Sequence, residues 1–166
     1  MKLIFQICLL IVFFLTASEI AYSCTCVYFE HKEEIKKTDV IFTGKVIEII
    51  EDTSHAPAKI ENVSPGVQRQ FETRKRYLVK LKVETGFKGV TGDGEITLVQ
   101  YEYEKPVPCG GLLFVKGKKY LVYASKYKDE LSGDDGCSRT REFDKKSKDY
   151  RELLQLRLKS KSKELS

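Results

Sequence analysis

Tyr77-Leu78-Val79-Lys80-Leu81-Lys82-Val83-Glu84 alternates residue by residue. Tyr77, Val79, Leu81 and Val83 share one face of an extended chain and Leu78, Lys80, Lys82 and Glu84 the other, which predicts a strand with one buried and one solvated face. Downstream, Gly86, Gly89, Gly92 and Gly94 end it, and Glu95 to Tyr101 forms a third strand, Ile96 and Leu98 opposing Thr97 and Val99. Upstream, Asp39 to Ile50 is rich in β-branched and aromatic residues and forms the first strand, with Gly44 as a bend or bulge. Pro106, Pro108 and Gly110-Gly111 make a connector around Cys109. Leu112 to Val115 and Tyr120 to Tyr127 then read as two more β segments around a turn at Lys116-Gly117-Lys118, and Ser132 to Gly136 as a turn cluster. Five β segments joined by turns predict a mainly β protein built as a small closed barrel.

The flanks read as helix and loop. Residues 30–37 are polar helix formers with little apolar stripe, as in a short surface helix. Residues 51–69, with Pro57, Pro65 and Gly66 among polar residues, predict a loop long enough to invite a role. Within it Asn62-Val63-Ser64 is formally a glycosylation triplet, weakened by Pro65 after it. Asp144 to Glu164 is helical by composition, and Tyr150, Leu153, Leu154, Arg157 and Leu158 recur at the spacing of one helix face, which would lie on the barrel. The chain thus divides into residues 1–23, a barrel over 24–143, and a helix with a frayed basic tail over 144–166.

The first 23 residues carry an export signal in their pattern. Lys2 precedes an apolar run from Leu3 to Leu15, and Ala21 and Ser23 are the small residues of a cleavage site that would make Cys24 the first residue. An uncleaved anchor is the competing reading, but the run gives only ~20 Å of helix against a ~30 Å hydrocarbon core. A second alternative is a lipoprotein signal that leaves Cys24 acylated and the protein lipid-anchored. Either cut places the protein outside the cytoplasm.

Of the 166 residues, removal of 1–23 leaves 143, enough for one core, and it takes away one Lys and one Glu, so the net charge stays at +5. The basic residues fall in small groups, Arg74-Lys75-Arg76, Lys116 with Lys118-Lys119, Lys145-Lys146, and Lys159, Lys161 and Lys163. These would meet a polyanionic glycan or an anionic cell surface, or serve solubility alone; nothing points to a specific nucleic acid. Cys8 leaves with the signal, and Cys24, Cys26, Cys109 and Cys137 remain. An even count in an oxidising compartment implies two disulfides. Residues i and i+2 of an extended segment point the same way, so Cys24 and Cys26 each reach a distant partner more easily than one another. Loops of about 85 to 110 residues closed in this way contribute roughly 4 to 5 kcal/mol each by loop-closure entropy. A four-cysteine zinc site competes with this reading but lacks a second close-spaced pair.

No enzyme constellation stands out. His31 sits in a charged helix and His55 in a polar loop, neither at metal-ligand spacing. Gly92-Asp93-Gly94 lacks the helix of a phosphate loop, and Asp134-Asp135 sits in a turn, where bonding to its own backbone is the ordinary role. The amino terminus itself carries more chemistry. An α-amine with a pKa near ~8 is partly neutral at physiological pH, and with the adjacent carbonyl it can chelate a metal that has an open position.

Cys24-Thr25-Cys26, Asp39-Val40-Ile41-Phe42-Thr43-Gly44-Lys45-Val46, Val107-Pro108-Cys109-Gly110, Lys118-Lys119-Tyr120-Leu121-Val122-Tyr123 and Cys137-Ser138-Arg139-Thr140-Arg141 follow one another as in the netrin-type family. Within that family the chain resembles the inhibitory domain of the tissue inhibitors of metalloproteinases, over residues 24 to about 143. The resemblance implies a five-stranded barrel of the oligonucleotide/oligosaccharide-binding type (OB-fold), flanked by a short N-terminal helix and a C-terminal helix. It implies disulfides Cys24–Cys109 and Cys26–Cys137. It further implies a monomer that is not an enzyme and holds no metal or cofactor of its own. Its partner would be a zinc metalloprotease whose zinc is chelated by the amine and carbonyl of Cys24, with Thr25 in the specificity pocket and Val107 and Pro108 on the same contact ridge. The sequence departs from those inhibitors at Val27-Tyr28-Phe29, where prolines are usual, and has no counterpart of their third disulfide. The netrin-type module also serves as a non-inhibitory binding module for glycan, matrix or protein, and fold alone does not choose between the two roles.

Overall fold

The structure, a computed structural model, describes residue 26 and residues 29–54, 62–90, 92–103, 111–133 and 137–164, with backbone alone at 67, 70, 71 and 160–164. Along the chain run α1 (His31–Lys37), β1 (Val40–Glu51), α2 (Pro65–Thr73), β2 (Lys75–Lys88), β3 (Glu95–Glu102), β4 (Lys119–Tyr127), β5 (Glu130–Ser132), β6 (Arg141–Glu142) and α3 (Lys148–Glu164). β1 pairs antiparallel with β2 over Ile41–Glu51 and with β4 over Val40–Lys45, so its first half has a neighbour on both sides. β2 pairs with β3, and β5 bridges β3 in parallel and β4 antiparallel. The ring β1-β2-β3-β5-β4-β1 is therefore closed, the expected five-stranded barrel of OB type, with β6 added along the start of β4.

Closure needs β1 to bend, and the register shifts at Ile41/Phe42, Thr43/Gly44 and Val46/Glu48 supply the bend. Gly44 stands where the sequence predicts it: a Cβ there would lie 2.9 Å from the Lys82 carbonyl oxygen and from the Phe42 ring. The interior is filled by Val40, Phe42, Val46, Val79, Leu81, Val83, Leu98, Phe114, Tyr120, Val122 and Ala124. A second cluster, Ile41, Leu121, Tyr123 and Leu153, lies outside the barrel wall, with Ile35, Phe87, Phe143 and Tyr150 packed against it.

Four expectations are corrected. Leu112 to Val115 is not a strand. Phe114 is a core plug set edge-on to Tyr120 at 4.8 Å, and side chains replace the ladder: Phe114 N–H donates to Gln100 Oε1 at 2.7 Å and Val115 N–H to the Tyr120 hydroxyl at 2.9 Å. The fifth barrel strand is instead Glu130–Ser132, reached through a tight turn in which Lys128 takes φ 55°. Three residues are too few to show a period. The loop expected over 51–69 contains the start of α2, because Pro65 occupies the first helical position, where a missing N–H costs nothing, and Ser64 carbonyl accepts from Gln68 N–H at 2.9 Å. Finally, α3 begins at Lys148, after a turn in which the Asp144 carboxylate accepts from Lys146 N–H at 2.8 Å. Its barrel-facing stripe includes the buried Leu153 but not Leu158, which is 68% exposed. Among the described residues no helix is long and apolar enough to cross a membrane.

Candidate functional site

Cys26 and the chain from Phe29 to Thr38 form an arm laid on the outside of the barrel, and polar and covalent ties hold it there. Cys26 is joined by a disulfide to Cys137, 111 residues away, with Cα atoms 5.4 Å apart. This is the partner that the resemblance implies for Cys26. Two residues past Cys137, Arg139 donates Nη2–H to the Phe29 carbonyl at 2.8 Å, and Lys37 Nζ stands 3.0 Å over the Phe29 ring centroid.

α1 buries no residue, as its polar sequence leads one to expect, so burial contributes little to its placement. His31, at its start, is held from both sides. Its Nδ1 is 2.5 Å from Glu152 Oε2 of α3 and its Nε2 is 2.7 Å from the Tyr123 hydroxyl of β4. With Nδ1–H donated to the carboxylate, Nε2 accepts from the tyrosine. Burial above all, and then the charge of Asp149, pushes the Tyr123 phenol far above its ordinary value, so it stays a neutral donor. The hydrogen bond from His31 holds the Glu152 carboxyl below the usual carboxylate range, against a smaller opposing effect of burial. At the other end of α1, Lys88 Nζ donates to the carbonyls of Ile35 at 2.8 Å, Lys36 at 3.0 Å and Thr38 at 2.6 Å. These are carbonyls that a helix C-terminus leaves without partners, and a cation suits its negative end. The chain then turns into β1 past Gly89, whose φ of 68° and whose Cβ position 2.3 Å from the Asp39 carbonyl oxygen exclude a side chain.

Beneath the arm, Asp149 of α3 is 6% exposed and pairs with both Arg139, at 3.3 Å, and Arg141. Thr140 between them exchanges hydrogen bonds with the backbone of Tyr123 at 2.9 and 3.1 Å. The sequence Cys137 to Arg141 is therefore a strip that ties arm, β4 and α3 together.

Of the residues singled out from sequence, Cys26 and Cys137 are brought together, while Cys24, Thr25, Val107, Pro108, Cys109, His55 and Asp134-Asp135 lie outside the described residues. The segment that leaves the connector is anchored by Phe114, and Leu113 and Val115 on either side of it are about half exposed. Asn62 and Ser64 are exposed, Asn62 in a turn with φ 64°. Sequence reading missed His31, which looked solvated in its charged helix, as well as Lys88, Asp149 and Glu152. The one available signal was the Arg-Thr-Arg strip two residues after a cysteine. The basic groups differ from expectation too. Arg76 is only 9% exposed, between Asp52 and Glu130, and Arg74 stacks on Tyr101 at 3.9 Å. Lys118 and Lys119 pair with Glu142 at 2.8 Å and Glu84 at 2.7 Å. Among the described residues no group of His, Cys, Asp and Glu is arranged to hold a metal ion. Compared with family models and with curated proteins, the chain matches none.

Proposed function

We propose that this is an exported netrin-type barrel that inhibits a zinc metalloprotease through its own amino terminus. After cleavage before Cys24, the neutral α-amine and the carbonyl of Cys24 bind the zinc in trans, Thr25 enters the specificity pocket, and Val107 and Pro108 contact the rim. The protein supplies no metal or cofactor itself and works as a monomer.

The observation that carries this reading is the fixed position of Cys26, two residues from the chelating group, by its disulfide to Cys137 on an arm that Arg139, His31 and Lys88 hold in turn. A chelating terminus gains affinity when its geometry is set before binding, because less freedom is then lost on binding. The alternative of a polyanion-binding module has less support, since Arg76, Lys118 and Lys119 all pair with carboxylates.

The test is inhibition of a panel of zinc metalloproteases by oxidised protein beginning at Cys24, beside the same protein with one extra Ala before it. Inhibition that disappears on adding the Ala is the expected result. Absence of inhibition across a broad panel with the fold intact, or equal inhibition by both proteins, would reject it.

A further inference from the structure

Both acids in the first turns of α3 are tied to the arm, Glu152 directly at His31 and Asp149 through Arg139. Asp149 and Glu152 are three residues apart and so lie on one side of the helix. Asp149 holds Arg139, whose other nitrogen donates to the Phe29 carbonyl; Glu152 holds His31, the first residue of α1. Each acid thus acts on the arm through one basic side chain. The barrel holds the arm mainly at its far end, where Lys88 donates to the carbonyls of Ile35, Lys36 and Thr38 and Ile35 packs on the outer cluster; at the near end the barrel's tie is the Tyr123 hydroxyl to His31. α3 has its own seat: Leu153 is buried, and Tyr150 is set edge-on to Phe87 at 5.9 Å and to Phe143 at 5.0 Å. The ladders that close the barrel, β1 with β2 and β4, and β5 with β3 and β4, include no residue of α3.

We propose that Asp149 and Glu152 are positioning residues for the amino-terminal arm: seating α3 on the barrel orders its near end, Phe29 to the first turn of α1, and unseating it loosens that end while Lys88 keeps the end of α1 and the barrel stays closed. The proposal rests on the reading of the arm as the working end of the protein, and it makes α3 the control on that end. A partner that pulled α3 away would loosen the terminus without touching it.

The experiment is residue-resolved amide hydrogen exchange on the full oxidised chain, comparing the parent with Asp149→Asn, Glu152→Gln and the double variant. The amides of Glu33 and Glu34, both bonded to the carbonyl of Glu30, report the near end of the arm, and those of β1 and β4 report the barrel. Loss of charged hydrogen bonds should speed arm exchange about tenfold or more in the double variant, with β1 and β4 unchanged, and Glu152→Asp should recover part of the protection lost in Glu152→Gln. Unchanged arm exchange, or equal acceleration in the barrel, would overturn the proposal. If the double variant does not fold, His31→Gln with Arg139→Gln cuts the same ties from the other side and must give the same local loss. No protease enters this measurement, so its failure is separate from failure of the inhibitor reading.

Discussion

The barrel has two kinds of wall. In β4, Tyr120, Val122 and Ala124 face the interior and Leu121 and Tyr123 face outward, yet each is at most 2% exposed. In β2, Val79, Leu81 and Val83 face the same interior, but on the opposite face Lys82 and Glu84 are exposed and Lys80 is half-buried in a pair with Glu48 at 2.9 Å. The difference is a second layer. The outer side of the β1–β4 wall is covered by α1, α3 and the strip after Cys137, and these, with Phe87 and Lys88 at the end of β2, form the layer that holds the amino-terminal arm. A two-sided wall gives the arm a packed base, whereas the one-sided stretch of β2 from Val79 to Glu84 completes the barrel and leaves its outer face to water.

The contrast breaks most directly at Leu121. Leu121→Ala removes a buried side chain from the outer cluster and should cost about 2 to 5 kcal/mol in urea denaturation, as an interior substitution would. A cost no larger than that of a surface change would mean that the second layer is not packed. A smaller effect is expected from acid. Because the Glu152 carboxyl is held below its ordinary value in the folded chain, its tie to His31 is complete above a pH of about 4.3 and is lost as pH falls through the lower folded value. The parent should therefore be more stable than Glu152→Gln near pH ~6, and the two thermal midpoints should converge toward pH ~2; a constant gap would remove the tie from the stability of this wall. The smallest effect belongs to the other wall, where Lys82→Ala should stay within about 0.5 kcal/mol, and a larger loss would mean that the outer face of β2 is also covered.

Much of this contrast was legible in the residues. The alternation in Tyr77 to Glu84 gives a one-sided strand, and the unbroken run Tyr120-Leu121-Val122-Tyr123-Ala124 is what a strand buried on both faces looks like. The position of Gly44 was also legible, because a strand that must bend between two neighbours leaves no room for a side chain. The segment 112–115 misled because Phe114, flanked by apolar residues, imitates a strand while working as a plug. β5 is too short to carry a pattern, and Pro65 looks like a breaker until the first helical turn is recognised as the place where proline fits. At the site, the cysteine spacing pointed to long-range bonds. The polar ties were not legible, since a histidine, a lysine and two acids in charged helices carry no signal until the fold brings partners from distant parts of the chain beside them.

Zinc chelation by the terminus is most directly read from the metal. A zinc metalloprotease substituted with cobalt, titrated with oxidised protein beginning at Cys24, reports its coordination sphere in the visible spectrum. A shift of the cobalt bands that saturates at one equivalent, and that is absent when an extra Ala precedes Cys24, is the expected result. Inhibition of the enzyme with the cobalt spectrum unchanged would contradict it.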